Sequence, residues 1–446
     1  MVDYSSLHEL LEQRHFAEFM KAIDRMNAVD AADFLSIVEP PHLPMVFRLL
    51  KKDTAADIFA ELESNAQEQI IQSMSDEEIA KFMDDLFIDD AVDLLEELPA
   101  NMVNRILKNT SPQRRGVINR FLNYPHDSVG SIMTSELVSV YSHWTVEQSV
   151  DYIRRIGISK ETVYVIYVTD SSKVLSGILE LKDLLFAPPT ERISELMDSS
   201  IIRVLTTDEK EHAASLISKY DLLALPVTDS ENRLVGIVTV DDAVDVIQEE
   251  ATKDIEKMAA ITPTDKPYLK TGVLATWLTR IPWLLLLMVS ATFTGTIITY
   301  YENALGQAVI LTAFIPMLMD TGGNAGGQAS VTIIRGLSLG ELRMGNILRI
   351  LWKELRVALL CGITLAAVVF GKAMLLDKAS PAVAGVIAVT ILATVIVAKL
   401  VGCSLPILAK RIGFDPAVMA SPFITTIVDA VALLIYFRIA DAVLGL

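Results

Sequence analysis

"ITTIVDAVALLIYF", Ile424 to Phe437, is a run of apolar and hydroxyl residues interrupted by one carboxylate, Asp429. In the longer apolar stretch from Pro416 to Phe437 the acid sits near the middle, out of snorkelling reach of either end. There a charge costs at least ~2.5 kcal/mol on insertion scales. Two readings account for it. A protonated carboxyl can bond a hydroxyl, with Thr425 one turn earlier as the candidate, or a carboxylate facing a water-filled path can draw in a cation. No His, Cys or second acid adjoins it in sequence, so the chemistry on offer is oxygen only, which argues against zinc or another soft metal.

The surrounding chain fits a membrane setting for this segment. Of its 446 residues 52% are hydrophobic, yet the net charge is −18, a pairing that a simple soluble protein rarely shows. The two properties separate along the chain. From Lys266 to Leu446 there are 14 basic and 8 acidic residues, net +6, which leaves 24 basic and 48 acidic residues, net −24, for residues 1–265. The start, "MVDYSSLHELLEQRHF", has no basic stretch followed by an apolar core, so the first half is expected in the cytosol. Cys361 and Cys403 fall in apolar stretches and form no disulfide framework.

Five segments approach or exceed the ~20 residues of a spanning helix: Ile281–Tyr301, Ala304–Ile334, Val357–Leu376, Pro381–Ala409 and Pro416–Phe437. The second is too long for one straight span and contains "TGGNAGGQAS". A break there would turn backbone and amide oxygens towards a cavity, which membranes tolerate only away from lipid. Gly322, Gly323, Asn324 and Gln328 are the pore-lining candidates. The other reading is close helix packing on small residues, with Asn324 and Gln328 as interhelical hydrogen-bonders. Asp320 is either a second cation contact or a cap beside the break. Lys270, Arg280, Arg335, Arg343, Arg349, Lys353, Arg356, Lys410 and Arg411 fall on one side, against Lys372 and Lys378 on the other. This asymmetry places the N-terminus in the cytosol and the C-terminus outside. Lys399, about 27 Å along from Pro381, reads as an anchor that snorkels to the inner interface.

Residues 1–128 carry apolar residues at helical spacing, and "AADFL", "AADIF" and "AVDLL" recur around Asp33, Asp57 and Asp93, 24 and 36 residues apart. A twelve-residue unit, one short helix with its turn, predicts a stack of helical hairpins. Residues 129–240 hold a strand-rich unit twice: Met133 and Met197 are 64 apart, Gly177 and Gly236 are 59 apart. This repeat resembles a pair of CBS domains. In that family an adenosine nucleotide, ATP among them, binds a Gly-x-x-Thr/Ser-x-x-Asp signature, matched here by Gly236, Thr239 and Asp242. The first copy has Gly177, Glu180 and Asp183, where Glu180 would repel phosphate. Helix capping by Thr239 and Asp242 is the plain alternative. Residues 241–265 form an acidic connecting helix, with like charges at Asp242, Asp245, Glu249, Glu250 and Asp254 only partly relieved by Lys253 and Lys257.

The full order is a helical N domain, two CBS units, an acidic helix and five spans that include "PMLMDTGGNAGGQAS" and "SPFITTIVDAVALLIYF". It resembles the MgtE family of magnesium transporters. The fold class implied is a multidomain membrane protein: an all-α helical-repeat N domain (1–128), an α/β CBS-domain pair (129–240), a connecting helix (241–265) and a five-helix transmembrane domain (266–446). The resemblance implies a homodimer in the inner cell membrane with a Mg²⁺ path on its two-fold axis, where two copies of Asp429 hold a hydrated ion. It also implies sensing of cytosolic Mg²⁺ by Asp57, Asp89 and Asp93 in the N domain, Glu209, Glu211 and Asp221 in the second CBS unit, and Asp242, Asp245, Glu250 and Asp254 on the connecting helix. The sequence departs from the family pattern at Lys253, where an acid is expected. No nucleic-acid partner is implied. The competing expectation is a proton- or sodium-coupled carrier with Asp429 as the protonatable group. A membrane enzyme is disfavoured, since no nucleophile–base pair or metal cluster is present in the sequence.

Overall fold

The computed structural model describes residues 4–264, 268, 271–302, 309–338, 340–342, 344–419 and 421–445. Lys270 and Arg343, counted above for orientation, and residues 304–308 of the second expected span lie outside them. The chain forms two compact units, Met1–Ile247 and Gln248–Leu446.

Ten helices, α1 to α10, run from Ser5 to Phe121. The last five, α6 (Ser64–Ser73), α7 (Asp76–Asp85), α8 (Ile88–Glu97), α9 (Ala100–Asn109) and α10 (Pro112–Phe121), start every twelve residues, which is the period visible in the sequence. Each ends in an extended residue or a turn, so no helix exceeds three turns. Packing runs between every second helix, α6 on α8, α7 on α9 and α8 on α10, rather than within adjacent hairpins. Phe47, Phe59 and Phe82 lock the middle edge-on, with the Phe59 and Phe82 centroids 4.7 Å apart.

Two three-stranded sheets follow. In the first, β1 (Ser139–Tyr141) pairs parallel to β2 (Val165–Thr169), which pairs antiparallel to β3 (Leu175–Glu180); in the second, β4 (Val204–Leu205), β5 (Ala224–Thr228) and β6 (Leu234–Thr239) repeat the order. The repeat exchanges its leading segments. Met133 precedes β1 but packs on Gly236 of the second unit, while Met197 precedes β4 but packs on Gly177 of the first, and a β-carbon on either glycine would fall 2.5–2.8 Å from a methionine sulfur. Bridges Thr134–Ile237 and Ile178–Asp198 fix the same exchange. The second unit also shares one continuous apolar core with the N-terminal helices, through Val129, Met133, Ala213, Ile217 and Val246. That shared core sets the N-terminal helices directly against the second strand-rich unit.

The connecting helix runs from Val240 to Met258, shorter than the expected 241–265, and Ala260 beyond it adopts a left-handed φ of 54°. Numbering the longer helices in chain order, with α11 (Val129–Ile132), α12 (Val146–Ile156), α13 (Leu181–Phe186), α14 (Ile193–Leu196) and α15 (Lys210–Tyr220) in the strand-rich units, makes this α16. The second unit contains α17 (Val273–Tyr300), α18 (Ile315–Ser338), α19 (Ile347–Leu375), α20 (Pro381–Arg411) and α21 (Ser421–Leu444). Among the described residues, four helical stretches are long and apolar enough to cross a membrane: Val273–Tyr300, Ile347–Leu375, Pro381–Arg411 and Pro416–Leu444. The glycine-rich α18 is not one of them, and the expected break within it is absent. It is a continuous helix entered through a 3₁₀ turn, Val309–Phe314. Away from water a peptide group keeps its helical hydrogen bond, so the glycines serve contact rather than opening.

Candidate functional site

Two faces of α18 do different work. Gly322, Gly326 and Ser330 recur at i, i+4, i+8 and are buried, as are Thr394, Ala398 and Gly402 at the same spacing on α20. A β-carbon at Gly322 would meet the Thr394 side chain at 2.8 Å, and one at Gly326 would lie 3.1 Å from the Ala398 carbonyl. Gly323 faces Thr425 of α21, and Gly326 also meets Ile424. Small residues at this spacing bring helix backbones together. With that face consumed, Asp320, Asn324, Gln328 and Thr332 are left exposed along the other.

This polar stripe opens on a groove of about 550 Å³ whose lining includes Asp320, Asn324, Gln328, Thr364 and Lys399. Lys399 is only 5% exposed, so it does not snorkel as expected; α20 continues to Arg411 and keeps Lys399 inside the helix packing. Asp320 stands in the second turn of an unbroken helix and is therefore not a cap. Asp429, on α21, is half-buried, and Asp320 is near enough to act on its charge. Thr425 is not the partner of Asp429: its hydroxyl donates to the Pro422 carbonyl at 2.9 Å. Of the pore-lining candidates, Asp320, Asn324 and Gln328 share the stripe, whereas Gly322 and Gly323 face helices.

The other acidic centre lies within the first unit. Asp89 and Asp90 start α8, and Asp242 starts α16. Burial and then the carboxylates of Asp90, Asp242, Glu161 and Glu136 push Asp89 well above the ordinary range, and its Oδ1 is buried without a hydrogen-bond partner. Burial, followed by Glu61 and Asp57, raises Asp90 to about 6. Glu161 rises to about 7 through burial and then Asp242 and Asp90. Asp242 rises to about 6, mainly through burial, although the Thr239 hydroxyl donates to its Oδ2 at 2.5 Å and opposes the shift. N-domain acids thus face acids of the strand-rich units across one seam. Among the described residues no three His, Cys, Asp or Glu side chains gather closely enough to hold a metal ion jointly.

The remaining candidates are dispersed. Asp93 is exposed on α8, one turn beyond Asp89. Glu209 and Glu211 lie at the start of α15 and Asp221 at its end, where φ is 53°; eleven residues of helix hold the two ends about 16 Å apart. Asp245 is exposed and raised by partial burial and by Asp241. Glu250 is bound by Lys253, 3.1 Å away, which also reaches Glu249 at 2.5 Å. Asp254, raised by burial and Asp415, accepts from the Ser338 hydroxyl at 3.5 Å. Asp90, Glu136 and Glu161 were not singled out from sequence. Glu136 and Glu161 stand alone in loops, and only the fold brings Asp89 to them. In the nucleotide signature, Thr239 and Asp242 bond each other at the start of α16 and Gly236 packs on Met133, the geometry of a cap.

Comparison with known proteins agrees with this architecture. Residues 315–439 match the family model MgtE, described as a divalent cation transporter, residues 26–127 match the MgtE intracellular N domain, and residues 129–189 and 193–249 match the CBS domain. The chain is 34% identical to the magnesium transporter MgtE of Thermus thermophilus, over 98% of both chains. It is 32% identical to that of Bacillus subtilis, over 97% of this chain and 95% of the other. Among solved structures, the cytosolic domain of the Mg²⁺ channel MgtE in complex with ATP aligns at a TM-score of 0.51 and 32% identity, covering 54% of this chain and 98% of that one. With alignment along nearly its whole length, and with a separate match for each domain, the chain belongs to the MgtE family of magnesium transporters.

Proposed function

We propose that two copies of the chain form a Mg²⁺ channel in the inner cell membrane. Five helices per copy cross it, with the N-terminus cytosolic and the C-terminus external, and the channel imports Mg²⁺. The observation that carries this reading is the stripe of Asp320, Asn324, Gln328 and Thr332, exposed on one protomer beside Asp429. Polar groups at membrane depth face protein or water rather than lipid. A second copy related by a two-fold axis would cover the stripe and set two Asp429 carboxylates on one path. Mg²⁺ keeps several waters and takes one or two carboxylates, which suits such a sparse oxygen site. Leu185 and Phe186 of α13 and Val240, Val244 and Ile247 of α16, on the helix that follows the last strand of each CBS unit, are exposed and offer an apolar surface for the same pairing.

The seam supplies the gate. Asp57, Asp89, Asp90, Glu136, Glu161 and Asp242 repel one another when the N domain is docked, and cytosolic Mg²⁺ bridging them favours the docked, closed state by its differential affinity. Asp93, Glu209, Glu211, Asp221, Asp245 and Asp254 extend the acidic surface available to hydrated ions, and Glu250 contributes once it leaves Lys253. The relative whose cytosolic domain was solved with ATP supports nucleotide binding, and the Gly236, Thr239 and Asp242 signature would direct it to the second CBS unit, where Thr239 and Asp242 would exchange their mutual bond for contacts to phosphate and ribose.

The test is Mg²⁺ flux into liposomes holding the purified chain, without proton or sodium gradients. Flux that persists, and that closes as Mg²⁺ rises on the cytosolic face, supports the gated channel; flux that needs either gradient would instead identify a coupled carrier.

A further inference from the structure

Lys399 is a charge that the helix packing leaves unanswered. It is only 5% exposed, and among the described residues it has no hydrogen bond or ion pair. A buried ammonium without an opposite charge is costly, so its surroundings must compensate it. What it faces is the groove of about 550 Å³ that Asp320, Asn324 and Gln328 of α18 and Cys361 and Thr364 of α19 also line. α18 and α20 run in the same direction, since Gly322 lies against Thr394 and Gly326 against Ala398. Lys399, next after Ala398, therefore leaves α20 level with Gly327, about 10 Å along the helices from Asp320. Side chains lean towards the start of their own helix, which tips the Lys399 stem back along the groove towards Asp320. The two charges share one cavity without closing an ion pair.

From this placement we infer that Lys399 is a built-in counter-charge of the ion path, which limits how tightly Asp320 and Asp429 hold Mg²⁺ and so lets the ion leave. The inference rests on the channel reading above. In one copy Asp320 is near enough to act on Asp429, so two copies bring two carboxylates each, a charge of −4, to one level of the path. An ion of charge +2 would be held there too firmly, because conduction needs binding weak enough for release. Two Lys399 ammoniums reduce the fixed charge to −2, which one Mg²⁺ balances. With the N-terminus cytosolic, α18 and α20 both run from outside inwards, and Lys399 stands on the cytosolic side of the acids. At about 10 Å, and with a dielectric between those of protein and water, one ammonium weakens divalent binding about tenfold.

The test uses the full chain in liposomes at low Mg²⁺ on the cytosolic face, with uptake read against external Mg²⁺. Lys399→Met replaces a buried charge by an apolar side chain of similar length. It is expected to lower the half-saturating Mg²⁺ about tenfold and to lower maximal uptake. Asp320→Asn is expected to raise the half-saturating Mg²⁺. The double variant, whose fixed charge is again −1 per copy, is expected to return it to within about threefold of the parent, which a packing role for Lys399 would not give. The native Cys361 thiol reads the groove without transport, since Cys403 is buried. In Mg²⁺-free buffer the ratio of its reaction rates with an anionic and a cationic methanethiosulfonate is expected to fall about threefold in Lys399→Met. Unchanged half-saturation in Lys399→Met overturns the inference. So does a double variant no closer to the parent than the singles, an unchanged labelling ratio, or a Cys361 that reacts with neither reagent. Failure of the channel reading is separable: it would show as parent-like uptake in Asp429→Ala, whatever the Lys399 variants do.

Discussion

Gly402 and Gly326 meet backbone to backbone: a β-carbon on Gly402 would lie 2.2 Å from the Gly326 carbonyl oxygen. The obstacle is main chain, which cannot swing aside as a flexible side chain would. Gly402→Ala is therefore expected to push α20 from α18 and destabilise the membrane unit by about 2 kcal/mol. Gly385→Ala in the same helix, where nothing lies within 4 Å, is expected to be near neutral. Thermal unfolding of the two variants in detergent checks the contrast.

The acidic seam makes stability depend on pH in a direction opposite to that of salt-bridged acids. Asp90 and Asp242 are raised to about 6 and Glu161 to about 7, so between pH 4 and 7 the folded chain holds more protons than the unfolded one. Stability then falls as pH rises through that window. In Mg²⁺-free buffer the first unit, Met1–Ile247, is expected to melt at a lower temperature at pH 8 than at pH 5.5, and millimolar Mg²⁺ at pH 8 is expected to restore most of the loss. Calorimetry on the full chain resolves both steps.

Asp89→Asn removes the most deeply buried acid of that seam while keeping its shape. The expected outcome in Mg²⁺-free buffer at pH 8 is a higher melting temperature than the parent, because a like charge is lost where no cation balances it. With Mg²⁺ present the advantage should shrink or reverse, since a proposed ligand has gone. A variant less stable than the parent under both conditions would mean that the seam is held by something other than charge balance.

The exposed stripe of α18 gives a direct reading of assembly. In a Cys361→Ser background, Gln328→Cys is expected to cross-link to its own copy under mild oxidation, whereas Val389→Cys, also exposed but on α20, should not. Absence of the first cross-link with presence of the second would move the two-fold axis away from α18.

Much of this fold was legible beforehand. The twelve-residue recurrence marked the N-terminal helices because each turn costs the same few residues, and the paired methionines and glycines marked the strand-rich repeat because each Met packs on the other unit's Gly. The glycine-rich stretch predicts a break, and the structure has one continuous helix there instead. Glycine's freedom to bend is overruled where peptide groups must bond within the helix and where Thr394, Ala398 and Thr425 fill the space beside it. For Lys399, counting residues along one helix gives depth but not facing, and the side chain is buried among helices. Asp429 stands out in the sequence as a costly acid and Asp89 only through the family resemblance, whereas Glu136 and Glu161 do not stand out at all. Their significance comes from a surface that the N domain brings to them, and no local pattern encodes it.

The central claim is that Asp429 governs passage while the cytosolic acids govern when passage is allowed. The most direct measurement is Mg²⁺ uptake by liposomes containing Asp429→Ala at low cytosolic-face Mg²⁺, with assembly checked by the Gln328→Cys cross-link. The account predicts uptake at least tenfold below the parent, on the order of one lost charge interaction at the membrane midplane, in a chain that still cross-links. Parent-like uptake by that variant would contradict it.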